Sequence, residues 1–418
     1  MAYALLNKEK PLISMRVHNE IEQLATFSSS PPPAVTRLLL SEEDILSRQW
    51  LLNLAQDAGF TTRADAVGNI FITFQGSNPD LPAVATGSHI DAIPNAGKYD
   101  GVVGVLGGLE AMRQLKESGF VPTRSIELIM FTAEEPTRFG IGCLGSRLLA
   151  NALSEEEALA LRSPEGLSIE DLRKGHYEGS LASTHLPTGH YHAFVELHIE
   201  QGPLLEEQKV DIGIVEKIAA PTAYRFHFKG AGGHAGAVLM PDRKDAFLAA
   251  AEVALLIEKL TKESPSADSV ATTGVIQVSP GAINSIPNHV MMELDLRDTC
   301  PKTRDYLISE IKKQAQETCK TRMVEFEMEL INSDPPALCS SDLIQHVKSS
   351  CKELGLSSIQ MISRAYHDCL FMSMICPTTM IFIPCYRGYS HRPDEYSSSE
   401  AIDKGIEALK HTLKKLTE

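Results

Sequence analysis

AVATGSHID, residues 83–91, is an apolar run that ends in a histidine and an aspartate two positions apart. Its shortness and its small and β-branched residues read as a buried strand, with the polar pair at the carboxyl end. GVVGVLGGLEAMRQLKESG, residues 101–119, follows with helical spacing. SIELIMFTAEE, residues 125–135, is a second apolar strand that runs into Glu134 and Glu135. Strand, helix and strand in this rhythm predict an α/β fold, a mixed sheet flanked by helices. In such sheets ligands gather beyond the carboxyl ends of the strands.

Upstream, MRVHNEIEQLATF (15–27) reads as a helix and SSSPPPAV (28–35) as a loop. SEEDILSRQWLLNLAQDAGF (41–60) opens on a Ser-x-x-Asp capping signature and continues with helical spacing. NIFITFQG (69–76) is strand-like. The stretch 151–192 reads as loop and acidic helix. Its histidines, His176, His185, His190 and His192, have no acidic or apolar frame and are expected to be surface residues.

From Ile212 to Leu330 the pattern changes. TAYRFHFKG, ATTGVIQV, HVMMELDLRD and MVEFEMELI alternate strictly, as half-buried strands do. They surround two long helical stretches, DAFLAAAEVALLIEKLTKE and KTRDYLISEIKKQAQETC. Four antiparallel strands with two helices form a self-sufficient α+β module. After Ser333 helix and buried-strand text returns, with TTMIFIPC (378–385) and a terminal helix, SSEAIDKGIEALKHTLKKL (398–416). The expected organisation is a discontinuous domain, 1–211 and 331–418, interrupted by an inserted domain, 212–330.

A chain of 418 residues is long enough for two or three domains, and 43% hydrophobic with 22% charged residues is the make-up of a globular enzyme. The net charge of −15 and the absence of a basic stripe argue against a nucleic-acid partner. No apolar run reaches the ~18 residues that a membrane-spanning helix needs. The opening MAYALLNKEKPLISM lacks the basic start, apolar stretch and cleavage site of a signal peptide. Either the protein is not secreted or a targeting peptide lies outside this sequence. The eight cysteines form no CxxC pair and are expected to be separate thiols.

The chemistry concentrates at strand ends. GSHID supplies His89 and Asp91, KYDGVVG supplies Asp100 before a glycine-led helix, and MFTAEEPTRFG supplies Glu134 and Glu135. FVELHIEQG places His198 at another strand end, and YRGYSHRPDEY places His391 on a late loop. A single such histidine is more often structural. A set of imidazoles and carboxylates gathered at strand ends suits zinc, manganese or cobalt. Five protein ligands are too many for one open catalytic ion, so two ions sharing a carboxylate such as Asp100 are expected. Within the glutamate pair, one carboxylate beside a ligand carboxylate could accept a proton from water and pass it to a leaving nitrogen. Asp91 suits the orientation of His89.

These segments, with GGHAGAVLMPDRKDA, GAINSIPNHVMMELDLRD and YSHRPDEYSS, resemble the amidase, hydantoinase and carbamoylase family of the wider dizinc peptidase clan, in the same order over roughly residues 40–415. The resemblance implies a dizinc-exopeptidase-like catalytic domain and an inserted dimerisation or lid domain. It implies His89, Asp100, Glu135, His198 and His391 as metal ligands, Asp100 bridging, and Glu134 as general base. It implies substrate contacts from Gln201, His234, Asn284 and Arg297, with His234 reaching across a homodimer to stabilise the oxyanion. Arg297 would grip a substrate carboxylate. By spacing alone Arg297 is an end-of-strand cation in a surface ion pair.

Three departures from the usual family text bear on substrate. Pro136 replaces a glycine after the glutamate pair, HAGAVLM (234–240) replaces HAGTTPM, and Tyr366 replaces the glycine of Ala-Gly-His-Asp. Tyrosine for glycine fills space and favours a small substrate, with Tyr366 and His367 in contact with it. The combination resembles the branch that hydrolyses ureidoglycolate, with two manganese ions as the implied cofactor and zinc, cobalt or nickel as alternatives. That branch also implies the endoplasmic reticulum as location, with the cytoplasm as the alternative. Rival readings are an allantoate or N-carbamoyl-amino-acid hydrolase, and a non-catalytic dimerisation or receptor-like module on the same fold. The last would be expected to lose ligands or the base, and this sequence keeps all six positions.

Overall fold

The computed structural model describes residues 13–418, with side chains from Met15 on, so most of the opening stretch read for a targeting signal lies outside the described residues. The chain divides into two compact units. Among the described residues, one comprises 13–216, 338–361 and 367–418, and the other comprises 217–337 and 362–366.

The first unit is built on a nine-stranded mixed sheet. Its centre is four parallel strands in the order Thr378–Ile383, Tyr191–Ile199, Ala83–His89 and Ile126–Phe131. Ile70–Phe74 and Thr61–Ala64 continue the sheet antiparallel on one side, and Ile212–Ile218 pairs antiparallel with Thr378–Ile383 on the other. Strands buried on both faces carry near-continuous apolar text. Accordingly every residue of Ile126–Phe131 and Thr378–Ile383 is buried. Because the four central strands run the same way, His89, Phe131, Ile199 and Ile383 end on one edge of the sheet.

The helix Val102–Glu117 lies against the sheet and is buried along most of its length. The terminal helix Ser399–Thr417 packs beside it, burying Ile402, Ile406, Leu409 and Leu413. The helix Glu42–Asp57 starts where its capping text predicts: the Ser41 hydroxyl accepts the Asp44 N–H at 3.3 Å. Ile13–Ala25 is tied to the core by Arg16, which forks onto Glu110 at 2.8 and 2.9 Å, and by Glu20, which accepts from Arg113 at 2.8 Å. Arg37 is fully buried and donates to the carbonyls of Leu24, Phe27 and Ile90 at 2.7, 2.8 and 2.7 Å. Burial pushes its guanidinium down to about 10, and the three carbonyls compensate by taking up its donors. All eight cysteines are free thiols.

The second unit is a four-stranded antiparallel sheet in the order Val270–Ser279, His289–Asp298, Ala220–Lys229 and Glu325–Ser333. Its alternation follows the sequence: Val290, Met292, Leu294 and Leu296 point inward with Phe226 and Phe228. The helices Ala246–Lys262 and Pro301–Thr321 cover that face through Ala249, Val253, Ile257, Leu307 and Ile311. Each fully buried phenylalanine there contributes about 1.5–3 kcal/mol of transfer free energy. This is the α+β arrangement expected from the strict alternation.

Candidate active site and metal centre

Backbone amides, carbonyls and close packing hold the site residues in place. Gly101 has φ 65°, and a Cβ there would stand 2.4 Å from His89 Nε2, so only glycine allows the helix start to approach that ring. Beyond the Ile126–Phe131 strand, Ala133 takes φ 53°; Gln201 and His391 take 56° and 59° on their own loops. Non-glycine residues in this region are uncommon and cluster where a site fixes the backbone.

The imidazoles are oriented by carbonyls. His89 Nδ1 lies 3.1 Å from the Asp91 carbonyl, and His198 Nδ1 lies 2.8 Å from the Ile199 carbonyl. A carbonyl only accepts, so Nδ1 carries a hydrogen in both rings, and in the neutral form of each ring Nε2 presents its lone pair. Asp100 meets these nitrogens with one oxygen: Oδ1 is 3.1 Å from His198 Nε2 and 3.6 Å from His89 Nε2. Its other oxygen is 3.4 Å from His391 Nε2, which lies 3.2 Å from Glu135 Oε1. Two groups capable of holding a cation result, His89–Asp100–His198 and Asp100–Glu135–His391, and Asp100 belongs to both.

The electrostatics favour positive charge. Burial alone would raise Asp100, but its hydrogen bonds with His198, His391 and His89 outweigh that and hold it well below the usual carboxylate range. Burial opposes charge on His89, yet Glu134, Asp100 and Asp91 raise it well above its ordinary value. His391, hydrogen-bonded to Asp100 and Glu135, is pushed up to about 11. A centre that draws protons onto its imidazoles this strongly is suited to a divalent cation in their place. Glu134 differs. Burial first, then the charges of Glu135, Asp368 and Asp91, push it well above the carboxylate range. A carboxyl raised in this way takes up a proton more readily than an ordinary glutamate, which suits a group that receives a proton and passes it on.

Asp91 reaches His89 with its carboxylate at 3.6 Å and holds the glutamate pair as well: Oδ1 accepts the Glu134 N–H at 3.2 Å and Oδ2 the Glu135 N–H at 3.0 Å. Gln201 Nε2 donates to Asp100 Oδ2 at 2.7 Å. His367 sets its ring 4.5 Å from that of His198 and joins it and Glu196 in a third candidate group. The loop histidines 176, 185, 190 and 192 belong to none of the three groups.

The remaining sequence-derived residues lie in the second unit. His234 pairs with Ser285 on a two-stranded ladder, and the Ala235 N–H donates to the Asn284 carbonyl at 2.9 Å, so His234 and Asn284 are neighbours. Arg297 forks onto Asp295 through Nε and Nη2, both at 2.9 Å, the ion pair its strand position predicts. Its Nη1 donates to the Arg364 carbonyl at 3.3 Å, and its Cζ lies 5.5 Å from the centre of the Tyr366 ring.

Four residues around the site were not singled out in the sequence. Glu196 stands two before His198, on the same strand side, a spacing that could have revealed it. Its carboxylate accepts from the Ser88 hydroxyl at 2.8 Å and the Cys369 N–H at 3.0 Å. Cys143 Sγ lies 3.6 Å from Glu134 Oε1. Ser390 and Glu395 meet Asp100 from the late loop, and no local spacing points to either.

Fold and site together define a hydrolase of amide C–N bonds. The chain belongs to peptidase family M20/M25/M40, which it matches over residues 85–415. It is 52% identical over 409 residues to a ureidoglycolate hydrolase of Arabidopsis thaliana, covering 96% of this chain and 86% of that one. Crystal structures of AtUAH in complex with (S)-hydroxyglycine and with glyoxylate resemble it equally, at 51% identity and TM-score 0.90, covering 97% of both chains.

Proposed function

We propose that the protein hydrolyses (S)-ureidoglycolate. The observation that carries this is the full-length similarity to a ureidoglycolate hydrolase in a chain whose Asp100 is shared by two cation-holding groups. His89, Asp100, His198, Glu135 and His391 would hold two divalent ions, manganese by resemblance, with zinc, cobalt or nickel also within reach of the donor set. Bound there, the ions supply Lewis acidity and make a water acidic near neutral pH.

The chain's own groups do the rest. Glu134 accepts the proton of the attacking water and delivers it to the departing nitrogen. Water adds to the ureido carbonyl, the bond to the terminal nitrogen breaks, and ammonia leaves. The carbamate that remains loses carbon dioxide to give hydroxyglycine, which breaks down to glyoxylate and a second ammonia. Arg297 pairs with the substrate carboxylate, and His234 and Asn284 donate to the reacting carbonyl and hydroxyl. Tyr366 and His367 limit the room beside them, and Gln201 lines the same space.

The second unit serves as the dimerisation and lid domain in this reading, and the chain acts as a homodimer. Exposed Phe247, Leu248 and Leu255 on one helix, with Val275 and Ile276 on the edge strand beside it, support that role. Among the described residues no helix is long and apolar enough to cross a membrane. A location in the endoplasmic reticulum follows from resemblance, with the cytoplasm as the alternative.

The test is a substrate panel under added manganese, read by ammonia and glyoxylate. Ureidoglycolate should release both, while allantoate and N-carbamoyl-amino acids should turn over poorly. Faster turnover of allantoate would overturn the substrate assignment.

A further inference from the structure

Glu395 is 4% exposed, on the loop that also carries His391. Burying a carboxylate costs several kcal/mol unless its oxygens are engaged. Its Oε1 accepts two backbone N–H groups, those of Tyr99 and Asp100, at 2.9 and 3.1 Å. The Ser390 hydroxyl lies 2.7 Å from Asp100 Oδ2 and 3.0 Å from Glu395 Oε2, so its single hydrogen is shared between the two carboxylates. The approach is close enough to dictate the neighbouring sequence. A Cβ at position 97 would stand 2.3 Å from the Glu395 Cβ, so Gly97 is the only residue that fits.

Glu395 therefore reaches Asp100 twice, once at its backbone and once, through Ser390, at its carboxylate. The first contact holds the backbone of Asp100, and the second, beside the Gln201 Nε2 that donates to the same Oδ2 at 2.7 Å, holds the rotation of the side chain. We propose that Glu395 is a positioning residue that, with Ser390 as intermediary, locks Asp100 so that each of its oxygens faces a different cation-holding group. Ser390 precedes His391, so the same lock sets the imidazole of the second group. Catalytic and metal constellations tolerate errors of only about 0.5 Å, which is why such support matters.

The inference rests on the two-ion reading above, so the experiment separates the two. Mn(II) is titrated into chelator-stripped full-length protein, with stoichiometry and affinity read by competition with a fluorescent chelator and folding read by urea denaturation. Wild-type protein should bind two ions per chain; fewer would overturn the two-ion reading itself. Glu395→Ala should weaken at least one ion about 10–100-fold, the range for residues that support ligands from behind. Glu395→Gln should stay within a few-fold of wild type. Its amide oxygen can accept both N–H groups while its amide nitrogen donates to Ser390. Ser390→Ala cuts only the side-chain arm; it should lower affinity by less than Glu395→Ala with folding unchanged, and it carries the test if Glu395→Ala does not fold. Two ions bound with wild-type affinity by folded Glu395→Ala or Ser390→Ala would overturn the positioning role, as would equal losses in Glu395→Ala and Glu395→Gln.

Discussion

The carboxylate of Asp91 accepts the backbone N–H of Glu135 at 3.0 Å, and its other oxygen accepts that of Glu134. One buried side chain thus sets both members of the glutamate pair and stands beside the His89 ring. Asp91→Ala leaves two buried amides without partners, at about 1–3 kcal/mol each, and frees the pair to move. Urea denaturation should show a loss of about 2–6 kcal/mol, together with a marked fall in kcat. Asp91→Asn keeps one acceptor oxygen and should lose about half as much. An Asp91→Ala protein as stable as wild type would show that the amides are held by something else.

Glu134→Gln removes the proton carrier without changing shape. The kcat should fall about 10²–10⁴-fold, with Mn(II) affinity unchanged. Stability should move the other way. Glu134 has a folded pKa raised above its unfolded value, so its contribution to stability declines as pH rises from the ordinary carboxylate range towards the folded value. At neutral pH the neutral glutamine is relieved of that cost, and the metal-free variant should melt at or above the wild-type temperature. Full activity in Glu134→Gln would remove it from the mechanism.

Neighbouring carboxylates raise His89, His198 and His391 above the ordinary imidazole range in the metal-free protein, His391 to about 11. Coordination needs their neutral forms, so Mn(II) uptake should release protons and its affinity should rise with pH. Calorimetry in two buffers of different ionisation enthalpy measures the protons directly. Identical heats in both would contradict the assignment of these imidazoles. EDTA should abolish turnover, and Mn(II) should restore it.

Arg297 offers a planar fork that lysine cannot reproduce. Arg297→Ala should raise KM for ureidoglycolate about 10–100-fold, the equivalent of about 1.5–3 kcal/mol for a charged hydrogen bond. Arg297→Lys should recover only part of that. A neutral ureide without the carboxylate should be insensitive to both changes. Equal losses on both substrates would mean that Arg297 serves the fold through Asp295.

Much of this was legible in the chain because its signals are local. Alternation in HVMMELDLRD, the apolar run before His89 and the Ser41 cap each specify their element within a few residues, and the structure places each as expected. His89 and His198 are readable because a polar residue at the end of a buried strand is conspicuous. Glu395 and Ser390 are not: their partners, Tyr99 and Asp100, lie far back in the chain, and Glu395 within YSHRPDEYSS reads as one more charge in a polar loop. Asp91 was half legible. Its nearness to His89 follows from spacing, but its hold on the amides of Glu134 and Glu135 depends on two parallel strands ending side by side.

The donors around Asp100 run from His89 to His391, and the unit that carries them is interrupted by residues 217–337. A ribosome therefore releases the other four donors long before the fifth. The nascent chain can finish much of its sheet, but the second cation group is incomplete until the late loop emerges. On the two-ion reading, the second group can take up its ion only after the late loop has emerged, and a chain cut short before His391 would leave the ribosome without that group.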